Sequence, residues 1–358
     1  MGPSGSGKST LLNVLTGRNL QSFEVDGVVL ANDENITIQK VKELTGYVQQ
    51  DTIFIPSLTV REYLLFQSRF RIGDKISSKE RLKIVEKVIH ETELEKCAQT
   101  RIGNRYDELV GQGISGGELK RLAFAAALLT NPLVLLCDEP TSGLDSSLAY
   151  NVTKKLKSLA VTGRTIITTI HQPSSDVFEL FDRILLLKTG KIFFHGTREF
   201  AQQEFQRLGL PCPEHYNPAD HYLKVLSNNE TEKFFEAAKD VEKTFTTIPT
   251  VDDENLVRIK DSNIKNIYPS SWATQFCVLF WRSLLTIRRD PLIMRIKLSQ
   301  AIGSALILGF AYLNQEMSQK AIQNINGAIF MIIINMTFLN IFSVINVSPN
   351  VFSFLFVP

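Results

Sequence analysis

The sequence predicts an α/β phosphate-loop domain followed by an incomplete α-helical transmembrane region. Three observations carry this. A glycine-rich loop occupies Gly2 to Thr10, and an apolar run, Leu133 to Cys137, ends on two acids. Far downstream, Ile325 to Val347 carries no charge at all, in a chain whose residues 1–226 alternate charged, apolar and turn-forming segments.

The loop Gly2-Pro3-Ser4-Gly5-Ser6-Gly7-Lys8-Ser9, with Thr10 following, matches the phosphate-loop pattern in full. Glycines allow the backbone to wrap so closely that successive N–H groups point at phosphate oxygens. Lys8 then reaches the outer phosphates of ATP, the Ser9 hydroxyl ligates Mg²⁺, and the helix opening near Lys8 offers its positive end to the anion. The run Leu133-Val134-Leu135-Leu136-Cys137 reads as a central strand of a parallel sheet, buried on both faces. Asp138 at its carboxyl end is placed to hold Mg²⁺, and Glu139 to polarise the attacking water. No strand precedes the loop, so the sequence is expected to begin one element late.

Further glycine-rich text, Ile114-Ser115-Gly116-Gly117-Glu118, opens a helical run from Leu119 to Leu129. A second phosphate-binding helix end, where one subunit uses one per nucleotide, predicts a composite site shared between two subunits. Gln50 follows the strand-like Gly46-Tyr47-Val48, and His171 follows the β-rich Thr165 to Ile170.

Net charge is +2, from 39 basic and 37 acidic residues, and no basic patch with interleaved aromatics points to nucleic acid. The four cysteines are scattered, as in a reduced cytosolic domain. Cys212, His215, Asp220 and His221 lie close together in sequence but match no usual zinc spacing. Residues 227–268 are polar and aperiodic and read as a linker. Residues 269–290, with Trp272, Phe276, Phe280 and Trp281, read as an amphipathic helix at a membrane interface. Residues 291–358 form a partial membrane domain with spans at 292–313 and 325–347. Arg282, Arg288, Arg289, Arg295 and Lys297 crowd one side of these spans, so the N-terminal domain is expected to be cytoplasmic.

Taken together, these residues resemble the ATP-binding cassette (ABC) family, in family order from the Walker A loop onward. The resemblance implies roles for each motif. Gln50 is the Q-loop glutamine that senses Mg²⁺, and Ser115, Gly116, Gly117 and Glu118 form the signature that contacts ATP bound on a partner subunit. Asp145, in Ser142-Gly143-Leu144-Asp145, is the D-loop aspartate, and His171 is the switch histidine. The signature departs from the commonest form, with Ile114 and Glu118 where Leu and Gln are usual. The glutamate and the text Asn217-Pro218-Ala219-Asp220 are similar to the G, or White, subfamily, and the stretches Asn324 to Phe330 and Asn335 to Phe338 resemble the second membrane helix of the insect White, Scarlet and Brown group.

That resemblance implies a membrane-embedded half-transporter that pairs with a second one, as homo- or heterodimer, and uses ATP to move a small molecule, a pigment precursor or a lipid. It fades after Val347, and the chain is expected to be cut at both ends. The alternatives are a non-transporting fragment and a soluble ATPase of the same superfamily.

Overall fold

Seven of the helices begin at a side chain that the sequence itself supplies. Each start has a Ser, Thr or Asp whose oxygen accepts a backbone N–H of the first turn, satisfying one of the donors a helix leaves orphaned there. The computed structural model describes residues 1–358 except 19–24, 26, 28, 33, 75, 104–112, 228–268, 290, 314–321, 336 and 338–358. The linker expected at 227–268 therefore lies almost wholly outside the described residues, as do much of the second expected span and the connection before it.

In chain order the elements are α1 (Lys8–Thr16), β1 (Leu30–Ala31), β2 (Glu34–Asn35), α2 (Ile38–Leu44), β3 (Thr45–Val48), α3 (Val60–Arg71) and α4 (Ser78–Glu91). Then come α5 (Gly116–Leu128), β4 (Val134–Cys137), α6 (Ser146–Val161), β5 (Thr165–Thr168), α7 (Ser175–Glu179), β6 (Arg183–Lys188) and β7 (Lys191–Thr197). The remainder are α8 (Arg198–Arg207), α9 (Pro218–Ser227), α10 (Trp272–Arg289) and α11 (Pro291–Ala311). The starting residues are Thr37, Thr59, Ser77, Ser115, Asp145, Ser174 and Thr197, for α2, α3, α4, α5, α6, α7 and α8. At α3, α4 and α5 a glutamate three residues on returns a bond to the cap residue's own N–H, completing a capping box.

The chain divides into two units, Met1–Val278 and Leu279–Pro358. In the first, β4 runs parallel between β3 and β5. Leu135, Leu136 and Cys137 are fully buried, as the apolar run requires, but Leu133 lies before the strand and is exposed. Phe124 and Ala127 of α5 and Val152 and Leu156 of α6 pack with Leu135 and Cys137 in one core. Register decides where the site can form. Val48 faces Cys137, and Cys137 faces Thr168, so all three strands end level. The residues just past each strand therefore emerge along one edge, where open parallel sheets bind ligands.

A second core joins the β6–β7 hairpin to α8 and α9 through Leu186, Phe194, Phe205, Tyr222 and Leu226. The hairpin turns at Thr189 and Gly190, both at positive φ, as a tight two-residue turn demands. At the start of α10, Ser271 N–H donates to Asp74 Oδ2 at 2.9 Å, and the Ser270 hydroxyl donates to the Arg69 carbonyl. No residue of α10 is buried, and Trp272 stacks on Phe276 at 5.6 Å on its exposed surface. The second unit contains α11 and a helical stretch over residues 322–335. Among the described residues, no helix is long and apolar enough to cross a membrane.

Candidate functional site

The phosphate loop hangs from β6. Met1 sits in parallel ladder register with that strand, its backbone nitrogen donating to the Leu185 carbonyl and its carbonyl accepting from Leu187 N–H at 2.8 Å. The contact coincides with an irregularity in the β6–β7 pairing between Leu186 and Leu187, a place where a bulge re-aims backbone groups. Gly2 fits there only because it has no side chain. A Cβ on it would lie 2.3 Å from the Leu187 carbonyl oxygen. Gly5 and Gly7 take left-handed conformations, φ 75° and 94°, and Gly7 is the residue from which α1 departs. From the turn of the same hairpin, Gly190 N–H donates to the Ser6 carbonyl at 3.1 Å.

Inside this cradle Lys8 is buried, its ammonium donating to the carbonyls of Gly2 and Pro3 at 3.0 and 3.1 Å. Ser6 Oγ is buried and has no hydrogen-bond partner. Ser4 and Gly5 form a turn closed by Ser6 N–H on the Pro3 carbonyl at 3.2 Å, while Ser9 and Thr10 of α1 are exposed. A cationic group, an orphaned hydroxyl and backbone N–H groups at a helix start fit a polyphosphate anion.

At the level edge of the sheet, Asp138 and Glu139 follow β4. Asp138 N–H donates to the Val48 carbonyl at 2.9 Å, and Asp138 is buried. Glu139 adopts φ 43°, a left-handed conformation costing a non-glycine residue about 1–3 kcal/mol unless its surroundings enforce it. Two contacts do so. The Thr169 hydroxyl accepts Glu139 N–H at 2.8 Å, and the Gln50 side-chain amide donates to Glu139 Oε2 at 2.9 Å. The same Thr169 hydroxyl donates its proton to Asp138 Oδ1 at 2.5 Å. Gln50 is itself held, because Lys120 of α5 donates to its carbonyl at 2.8 Å. Burial lowers the Lys120 pKa, against the opposing pull of Asp51 and Glu139. Tyr47 lies on the other side of Asp138; burial and then that carboxylate push its hydroxyl up to about 12, and Arg18 stacks over its ring at 5.3 Å.

A cleft of about 360 Å³ opens beside these groups, bringing together Glu139, the turn Ser142-Gly143-Leu144, and His171 to Ser174. Glu139 and His171 thus face one space. Asp145 lies just beyond that turn, where Oδ1 accepts Leu148 N–H at 2.8 Å and so caps α6. The His171 segment is steadied by the residue just before α9, since Asn217 Nδ2 donates to the Pro173 carbonyl at 2.8 Å.

The signature residues do not line this cleft. Ser115 caps α5 through Glu118 N–H at 3.3 Å, and Glu118 Oε2 accepts Ser115 N–H at 2.7 Å. Burial works against the ionised Glu118, but the Ser115 amide and hydroxyl hold its carboxyl below the ordinary range. Gly116 and Gly117 are buried in the first turn, and a Cβ on Gly117 would meet the Leu148 side chain at 3.2 Å. The openings of α5 and α6 are therefore packed together, glycine against the residue whose amide Asp145 caps.

Sequence reasoning missed Thr169, Lys120 and the tie from Asn217. Each acts through a bond between residues 31, 70 and 44 positions apart, which no local pattern announces. The one signal in the sequence is the position of Thr169 near the end of a β-rich run; that it stands level with Asp138 follows from the β4–β5 register.

Residues 1–142 match the family model for ABC transporters, and residues 274–355 match that for ABC-2 type transporters, as do residues 171–249 for a second ABC-2 model. The chain is 42% identical to Protein white of Drosophila melanogaster over 97% of its own length and 52% of that protein. It is 38% identical to the ABC transporter ATP-binding protein/permease wht-1 of Caenorhabditis elegans, covering 95% of this chain and 53% of the relative. It is 37% identical to Protein scarlet of Drosophila melanogaster, covering 98% and 54%. The chain thus spans about half the length of the curated relatives it matches. With a phosphate-loop ATPase fold at one end and ABC-2 membrane sequence at the other, it belongs to the ABC transporters, in the G, or White, subfamily.

Proposed function

We propose that this chain is the nucleotide-binding part of a half-transporter that pairs with a second subunit and couples ATP hydrolysis to movement of a small molecule across a membrane. The observation that carries this reading is the hydrogen-bonded row Gln50–Glu139–Thr169–Asp138 on the level strand ends. It supports reading Glu139 as the base and its neighbour Asp138 as the ligand of a cation.

In this reading Gly2 to Thr10 bind the phosphates, with Lys8 turning its ammonium from the loop carbonyls to the phosphate oxygens. Ser9, Asp138 and Gln50 supply the hard oxygen ligands that Mg²⁺ prefers. Mg²⁺ held there would supply positive charge to neutralise the phosphate oxygens. Glu139 takes the proton of the water that attacks the γ-phosphorus, and ADP leaves as the bond to its β-phosphate oxygen breaks. His171, across the cleft, donates to the γ-phosphate. Ser115, Gly116, Gly117 and Glu118 present the opening of α5 to ATP held by the partner subunit, and Asp145 lies at that same interface. The nucleotide domain is cytoplasmic and the chain multi-pass, the spans falling near 292–313 and 325–347, and a pigment precursor or lipid-like molecule is the cargo.

The test is Glu139→Gln in the transporter paired with its partner. Binding of a fluorescent ATP analogue stays within about twofold, while turnover falls at least about 100-fold, the range for a lost general base. Unchanged turnover would show that another group activates the water.

A further inference from the structure

Thr169 is 6% exposed and stands one residue past β5, beside Asp138 and Glu139. Its hydroxyl has one proton and spends it on Asp138 Oδ1 at 2.5 Å, leaving its lone pairs to accept Glu139 N–H at 2.8 Å. The direction of both bonds is fixed by chemistry, because a backbone N–H only donates and a carboxylate oxygen accepts. The strand that carries it is itself pinned, Thr169 N–H donating to the Cys137 carbonyl at 3.0 Å. One hydroxyl therefore sets both the rotation of the Asp138 carboxylate and the left-handed backbone of Glu139, whose φ is 43°.

We propose that Thr169 is a positioning residue for ATP hydrolysis: it orients the cation-binding carboxylate of Asp138 and the base Glu139 with a single hydroxyl. The inference rests on the proposed roles of Asp138 and Glu139. Burial is what makes it consequential. At a site this closed, water does not replace a deleted hydroxyl, so both neighbours lose their partner at once. A misplacement of about 1 Å at a reacting group lowers the rate by about two orders of magnitude.

The experiment compares Thr169→Val, Thr169→Ser and Glu139→Gln in the full chain with its partner. Valine matches threonine in shape but has no hydroxyl, while serine restores the hydroxyl with one methyl fewer. For Thr169→Val, kcat falls roughly 10- to 100-fold with little change in KM, the pattern of a lost transition-state arrangement. A second readout is independent of turnover. Titration with a fluorescent ATP analogue, with and without Mg²⁺, shows the Mg²⁺-dependent gain in affinity reduced for valine and unchanged without the metal. Serine recovers both values to within about threefold of the parent. Valine equal to the parent in both assays overturns the proposal, as does serine failing as badly as valine, which would make the site one of packing alone. If valine does not fold, Thr169→Ala against serine is read in the same way. Normal turnover by Glu139→Gln would sink the assigned base, whereas the Mg²⁺ titration still judges Thr169 through Asp138.

Discussion

Replacing Glu118 by alanine removes the stronger half of the cap that opens the signature helix. Its carboxylate accepts Ser115 N–H at 2.7 Å, a charge-assisted bond, whereas the reciprocal bond from Glu118 N–H to Ser115 Oγ is long at 3.3 Å. Loss of such a cap costs about 0.5–2 kcal/mol, and a carboxylate in the first turn adds about 0.3–1 kcal/mol through the helix dipole. We expect about 1–2 kcal/mol for Glu118→Ala, which is a roughly 5- to 30-fold larger population of the locally opened helix end. Glu118→Gln keeps an acceptor and loses the charge, so its deficit is about 0.3–1 kcal/mol.

The pH dependence comes from the same bond. The Glu118 carboxyl is held below the ordinary glutamate range in the folded chain, so its contribution is fully present above that range. It disappears as pH falls through the depressed folded value. Amide hydrogen exchange over residues 115–118, corrected for intrinsic rates, should separate parent and alanine variant at neutral pH and bring them together in acid. Equal protection at neutral pH, or a gap that persists in acid, would refute the capping argument.

Two other outcomes test different levels of the structure. Gly2→Ala forces a Cβ to within 2.3 Å of the Leu187 carbonyl oxygen, so either the loop or β6 must move. Such overpacking costs about 1–3 kcal/mol, and thermal unfolding should report it together with weakened ATP binding; a Gly2→Ala chain with parental stability and affinity would mean the loop does not hang from β6. At the level of the whole chain, membrane extraction should recover the protein only with detergent, and full recovery in the soluble fraction without it would sink the transporter reading.

Legibility of the site depends on whether its signal is local. The phosphate loop and the acids after β4 are contiguous runs whose composition states their conformation: α1 opens at Lys8, and β4 ends at Cys137, immediately before Asp138 and Glu139. The signature helix is legible only in part. Two glycines weaken helix propensity, so the sequence pattern starts the helical run near Leu119, yet α5 begins at Gly116. The spacing Ser115 to Glu118 already announces a capping box, and a satisfied cap of about 0.5–2 kcal/mol offsets much of the glycine penalty of about 1 kcal/mol per residue. The same glutamate is the departure from the usual signature, so a variant of a recognition motif is also the residue that closes the helix end. Thr169 is illegible for the opposite reason. Threonine at the end of a β-rich run is ordinary, and only the level register of β4 and β5, set by tertiary packing, brings its hydroxyl between Asp138 and Glu139. Sequence pattern singles out the groups proposed to meet phosphate; the groups proposed to aim them are read from register.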